Sequence, residues 1–217
     1  MNEENQVLFK RYIQKQLLHF FDCKEDISDF FGEALTRTLK CFKATRNKYY
    51  HDEKGMPILS QLHSGQYSIF LYYLGNTIYR NGGSHVLATT TYCLNKTLHS
   101  VDWYFEIELP EIFGVEHPLA SILGRAKYKD GFFFYQGCTV GGNKGHYPTL
   151  GKNVILFSNA TIIGKSIIGD NVIVSTGSTI KDEIIPSNAL VFGQSPNLIV
   201  KEKSLSYMQE KISNFWF

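Results

Sequence analysis

Residues 150–185 read LGKNVILFSNATIIGKSIIGDNVIVSTGSTIKDEII. Large aliphatic residues recur every sixth position at Leu150, Leu156, Ile162, Ile168, Val174 and Ile180. Four residues behind each come Val154, Ala160, Ser166, Val172, Ser178 and Ile184, all small, β-branched or both. Turn formers fill the gaps: Gly151, Lys152-Asn153, Gly164, Gly169, Asp170-Asn171 and Gly177. Neither a helical period nor simple alternation accounts for a repeat of six. A short strand closed by a tight turn every six residues winds a three-sided coil. Its first ladder points inward and stacks on the coil below, and the small second position fits the corner. The stretch predicts a parallel β-helix of hexapeptide repeats.

Outward from this ladder, Pro186 ends the repeat and FGQSPNLIVK (192–201) leads the chain out of the last coil. The tail SLSYMQEKISNFWF (204–217) has the spacing of a short amphipathic helix, with Met208, Ile212, Phe215 and Trp216 as a packing or oligomer contact. Upstream, Tyr128, Phe134 and Val140 keep the six-residue phase, with Phe132 and Cys138 at the second position. Between Val140 and Leu150 the phase breaks, and the excess lies in GGNKGHYPT (141–149), a composition that loops out of a corner. A second break, between Leu123 and Tyr128, is one residue short. Regular rungs need only stack, so irregular coils are where chemistry is expected.

The first hundred residues read differently. Apolar residues at helical spacing predict helices over 5–22 and 27–43. A polar connection, 44–56, follows. Pro57 is expected to open a third helix through Ile78, stopped by Asn81-Gly82-Gly83, and Ser84 to cap a fourth running to about His99. The division expected is an α-helical domain over 1–100, a β-helix over 101–200 and a tail over 201–217. The class is therefore α+β, helices first.

With 217 residues the chain can bury one substantial core or two modest ones. A net charge of +2 is too small to mark a nucleic-acid or membrane surface. Cys23, Cys41, Cys93 and Cys138 lack ligand spacing and read as buried reduced thiols, and no metal is expected. With no apolar run long enough for a bilayer and no leader pattern, a cytoplasmic protein is expected. Phosphate-binding glycine loops of the GxxxxGK[ST] and GxGxxG types are missing too.

Five features resemble the serine O-acetyltransferase branch of the hexapeptide-repeat acyltransferases. A helical domain precedes the β-helix. Leu62-His63-x-x-Gln66-Tyr67 is similar to a family helix with a His-x-x-Gln pattern. Val101-Asp102 stands where the family begins its first coil, and Glu116-His117 falls fifteen residues beyond that aspartate, where the family has Asp-His. Thr139-Val140-Gly141-Gly142 opens an insertion ending in Pro148, like the family's Thr-Leu-Gly-Gly segment. The resemblance implies a left-handed β-helix, acetyl-CoA as cosubstrate, transfer without a covalent acyl-enzyme, and a homotrimer or a dimer of trimers, with sites between subunits. There are departures. The loop's Arg-His-Pro reads His146-Tyr147-Pro148, the family's acid before the histidine is Glu116, and an upstream acidic residue has no clean match, Asp52 being nearby.

Acetyl transfer from a thioester to an alcohol needs a base near neutral pKa, a role that suits His117. Asp102 is expected to accept its other ring N–H and fix the tautomer. Glu116, His146 and Tyr147 are the acceptor-side candidates. Gly141 or Gly142 can bring backbone N–H groups close to an oxyanion and to the cofactor. Lys181 and Lys201, near the last coil, are candidates for the CoA phosphates. Each has a plainer reading: a turn histidine before Pro118, a junction cap at Asp102, a mobile loop at His146, solvated lysines. An acetyltransferase acting on L-serine or a similar small hydroxyl acceptor is the reading favoured. A sugar O- or N-acetyltransferase for a surface polysaccharide is the alternative, suggested by Phe132-Phe133-Phe134-Tyr135, and a non-catalytic assembly protein is a third.

Overall fold

The computed structural model describes residues 3–217. Helix α1 (Glu3–Phe21) turns Phe9, Ile13 and Leu17 inward at helical spacing. Helix α2 (Ser28–Ala44) lies against α3 (Ser64–Arg80), which is buried continuously from Gly65 to Ile78 and forms the centre of the helical domain. Helix α4 (His85–His99) starts as expected, with the Ser84 Oγ accepting from Leu87 N at 3.4 Å. It stops at Ser100, whose positive φ of 55° turns the chain into the first strand.

The third helix begins at Ser64 rather than at Pro57. Pro57 instead forms an antiparallel bridge with His51. The reason is local competition: the Gln66 side chain accepts from Ser60 N and donates to the Tyr49 carbonyl, holding 49–60 as a folded-back loop. His63 then caps the helix, its Nδ1 accepting from Gln66 N at 3.3 Å.

From Asp102 onward the chain is a three-sided parallel β-helix. One face carries β1 (Asp102–Trp103), β3 (Ile122–Leu123), β5 (Thr139–Gly141), β8 (Thr161–Ile163) and β11 (Thr179–Lys181), in that order. A second carries β6 (Thr149–Leu150), β9 (Ile167–Ile168) and β12 (Ile184–Ile185). The third carries β2 (Phe113–Val115), β4 (Phe132–Phe134), β7 (Ile155–Leu156), β10 (Ile173–Val174), β13 (Ala189–Phe192) and, antiparallel at the edge, β14 (Ile199–Glu202). Leu150, Leu156, Ile162, Ile168, Val174 and Ile180 are all inside the coil and all essentially inaccessible. Val154, Ala160, Ser166, Val172 and Ser178 fill buried corners.

Ile184 departs from that pattern and is 75% exposed. The last corner is one residue shorter, so Ile185 takes the inward place over Ile168 and Ile184 turns out. Another corner is held by a ladder of asparagine amides, Asn153 to Asn171 at 2.9 Å and Asn171 to Asn188 at 3.0 Å. All three have positive φ, which asparagine tolerates better than most residues.

Helix α5 (Leu205–Ile212), capped by Ser204, folds back over the third face. Met208, Ile212 and Trp216 form a cluster there with Phe133 and Ile155. The tail is thus an intrachain packing element, and its last residues run beside the end of α2. All four cysteines are free, three of them buried. Among the described residues no helix is long and apolar enough to cross a membrane, and no group of side chains could hold a metal.

Candidate active site

Strand β2 ends at Val115, and the corner leading to β3 carries Glu116 and His117. His117 has φ 50°, an uncommon conformation for a residue with a side chain, and it is exposed. Two backbone bonds hold the turn on the rung below: Asp102 N to Ser121 O and Ala120 N to Ser100 O, each 2.9 Å. Trp103 Nε1 donates to Ser121 Oγ at 2.9 Å from inside the coil. A rigid corner therefore presents the histidine.

Facing this corner is the N-terminus of α3 with its preceding loop. His63, Gly65, Asn47, Tyr49, Glu116 and His117 line a cleft of about 270 Å³. The packing at Gly65 is close: a Cβ would stand 3.0 Å from Tyr50 Oη and 3.3 Å from His63 Cε1, so those side chains would have to shift. Burial lowers the pKa of His63, and the neighbouring His117 lowers it further. Since His63 Nδ1 accepts a backbone N–H, the neutral ring carries its proton on Nε2. The cleft thus pairs an exposed histidine with a histidine biased towards the neutral form.

Beyond Glu116 the cleft continues into a second space of about 300 Å³, bounded by Lys48, Phe133, Tyr135, Asn214 and Phe215. Asn47, Tyr49 and Glu116 belong to both halves. Tyr135 is pushed up to about 12 by burial and by the Glu116 carboxylate beside it.

Asp102 is placed differently from the sequence expectation. Its two oxygens accept from Tyr92 Oη at 2.6 Å and Lys96 Nζ at 2.7 Å, both on α4. Burial pushes its pKa up, but those two bonds outweigh it and hold the carboxylate below its usual range. The single chain therefore gives Asp102 its partners on the helix, not on His117, because the last turns of α4 lie directly against its strand. What Asp102 contributes to the histidine corner is the backbone bond to Ser121.

The other candidates lie elsewhere on the prism. Gly141, Gly142, His146, Tyr147 and Lys181 gather at the corner between the first and second faces, the opposite edge of the first face from His117. The insertion is a tight turn there, with Asn143 and His146 bonded through their backbones. Both His146 and Tyr147 are exposed. A Cβ on Gly141 would meet nothing within 4 Å, so the backbone at this corner lies open. Lys201 is on the edge strand β14, over the Phe192 ring, away from both corners. Asp52 folds on itself, its Oδ1 accepting from Lys54 N and Met56 N.

Sequence reading assigned no role to Asn47, Tyr49 or to His63 beyond its motif. The His-x-x-Gln spacing was the available signal: one residue caps the helix and the other ties down the loop bearing Asn47 and Tyr49. Nothing in the sequence indicated that 214–215 would return to the same cleft.

Residues 147–182 match the family model described as bacterial transferase hexapeptide (six repeats). In fold and repeat the chain is similar to the hexapeptide-repeat transferases. Among these it is similar to the serine acetyltransferases, the branch its motifs resemble. The serine acetyltransferase of Synechococcus elongatus is 30% identical over 105 residues, 46% of this chain and 43% of the relative, so the chain spans less than half of that protein. The Helicobacter pylori serine acetyltransferase is 21% identical over 175 residues, 78% of this chain and 96% of the relative. A solved serine acetyltransferase from Brucella abortus, in complex with coenzyme A, shares the fold with a TM-score of 0.63 at 16% identity, covering 89% of this chain and 74% of that one.

Proposed function

We propose that the protein is an acetyl-CoA-dependent O-acetyltransferase acting on L-serine or a similar small hydroxyl acceptor. The observation that carries this reading is the cleft in which His117, His63 and Glu116 face one another. His117 takes the acceptor's hydroxyl proton as that oxygen attacks the thioester carbonyl, and returns it to the departing thiolate when the C–S bond breaks. His63, neutral with its proton on Nε2, donates to the acceptor and keeps a second positive charge out of the site. Glu116 binds the acceptor's ammonium. Asp102 acts on His117 through the turn it holds.

The similarity to a coenzyme A-bound relative supports acetyl-CoA as cosubstrate, and the open backbone at Gly141 fits a thin pantetheine arm. Gly141, Gly142 and Lys181 would hold it, Lys181 meeting phosphate, with a Gly N–H facing the oxyanion. His117 and Gly141 stand at opposite edges of one face, which supports sites formed between neighbouring copies, as in a homotrimer or two paired trimers. His146 and Tyr147 of one copy would then reach the acceptor held by the next. A sugar acceptor is the second reading, favoured by the aromatic lining beyond Glu116. Thiol release from acetyl-CoA, assayed with L-serine, amino sugars and oligosaccharides, tests both. Undiminished transfer by a His117→Ala variant would remove the proposed base.

A further inference from the structure

The segment following α5 closes the far side of the cleft. Arg46 N donates to the Phe215 carbonyl at 2.8 Å, Arg46 Nη1 to the Ser213 carbonyl at 2.7 Å, and Phe217 N to the Ala44 carbonyl at 3.0 Å. Thr45 and Trp216 form an antiparallel bridge. Trp216 goes into the cluster beneath α5, at 9% exposure, while Phe215, in the turn that ends the helix, packs on the edge of that cluster and borders the cleft. Its ring lies 4.8 Å from that of Phe133, and Tyr135 stacks on Phe157 at 5.1 Å and 12°.

We infer that this segment is the outer wall of the acceptor site, and that Phe215, with Asn214, selects acceptors that carry a ring with an apolar face beyond the reacting hydroxyl. The inference rests on the His117 corner being the site of acetyl transfer and develops the second reading of its acceptor, the sugar. Two arguments lead to it. The space beyond Glu116 is as large as the histidine half of the cleft, about 300 against 270 Å³, and a side chain as short as serine's would leave it empty. Its lining combines the half-buried rings of Tyr135 and Phe215, which rest on the buried Phe133, with hydrogen-bonding groups (Asn47, Glu116, Asn214). A hydroxylated ring, such as a pyranose, satisfies both at once: its C–H face lies on an aromatic ring while its hydroxyls meet amides and a carboxylate.

The test compares wild type with Phe215→Ala and Asn214→Ala, leaving the α5 anchors intact, using L-serine and methyl pyranosides of glucose and N-acetylglucosamine. Steady-state KM values are paired with saturation-transfer NMR, which reads acceptor binding without turnover. The pyranoside KM and its NMR dissociation constant should rise about tenfold in Phe215→Ala. L-Serine, which does not reach the wall, and acetyl-CoA should change by less than about twofold. A Phe215→Leu variant, retaining apolar bulk without a ring face, covers the case in which the alanine form fails to fold. Equal effects on serine and pyranoside, no effect on either, or no pyranoside binding to wild type would each overturn the inference. If His117→Ala retains transfer, the catalytic reading fails instead, and the NMR difference still decides whether Phe215 walls a binding site.

Discussion

Gln66 Nε2 donates to the Tyr49 carbonyl at 2.7 Å, while its Oε1 accepts from Ser60 N at 2.7 Å. One buried amide thereby ties both ends of the loop that faces His117. A Gln66→Leu variant keeps most of the volume but leaves two backbone groups without their partner. We expect a loss of about 1–3 kcal/mol in urea denaturation. The acceptor KM should rise with it, since Tyr49 and Asn47 lose their tether.

Acid should destabilise the protein through its histidines. Burial pulls His99 down to about 4 from an ordinary value of 6.5, and His63 is lowered as well. Between these values the unfolded chain binds more protons than the folded one, so stability falls as pH drops through 6.5 and levels off below about 4. The His99 contribution is on the order of 3 kcal/mol. Denaturation at pH 7 and pH 4.5 checks this: a His99→Phe variant, whatever its stability at pH 7, should lose less between the two.

His117 and Asp102 should separate clearly in kinetics. Removing a general base costs about 10²–10⁴ in rate, the drop expected for His117→Ala with coenzyme A binding retained. Because the Asp102 carboxylate is bonded to Tyr92 and Lys96, Asp102→Asn should cost no more than about tenfold in kcat, through the turn it supports. Its stability cost should be about 0.2–1 kcal/mol, the range for a half-exposed ion pair. A loss matching that of His117→Ala would show that the carboxylate reaches the histidine in the assembled enzyme.

The two lysines proposed from sequence should behave unequally. Lys181 shares its corner with Gly141, whereas Lys201 lies over Phe192 on the edge strand. Replacing Lys181 by Glu should raise the KM for acetyl-CoA about fivefold, roughly 1 kcal/mol. The same change at Lys201 should leave it within about twofold. Titration with coenzyme A alone measures the same difference without an acceptor.

The inward ladder from Leu150 to Ile180 was legible because every coil repeats the same packing demand, and the repetition is written at a fixed interval. Where a demand occurs once, the sequence is silent. The slip at Ile184 arises from a single short corner, and the late start of α3 from one side chain, Gln66, competing for the backbone. Asp102 shows another limit: spacing to His117 located a shared junction but not which way a carboxylate turns, and Lys96 and Tyr92 decide that. Arg46 and Phe215 meet across most of the chain's length, a contact to which no local pattern points.

That last contact has a bearing on how the molecule is made. The bond from Arg46 to Ser213 joins residues 167 apart, with the whole solenoid between them. Closing so long a loop is entropically unfavourable until the intervening coils have stacked and brought its ends together. Docking of residues 213–217 is therefore a late event in folding, and until it occurs the histidine corner has no wall opposite it.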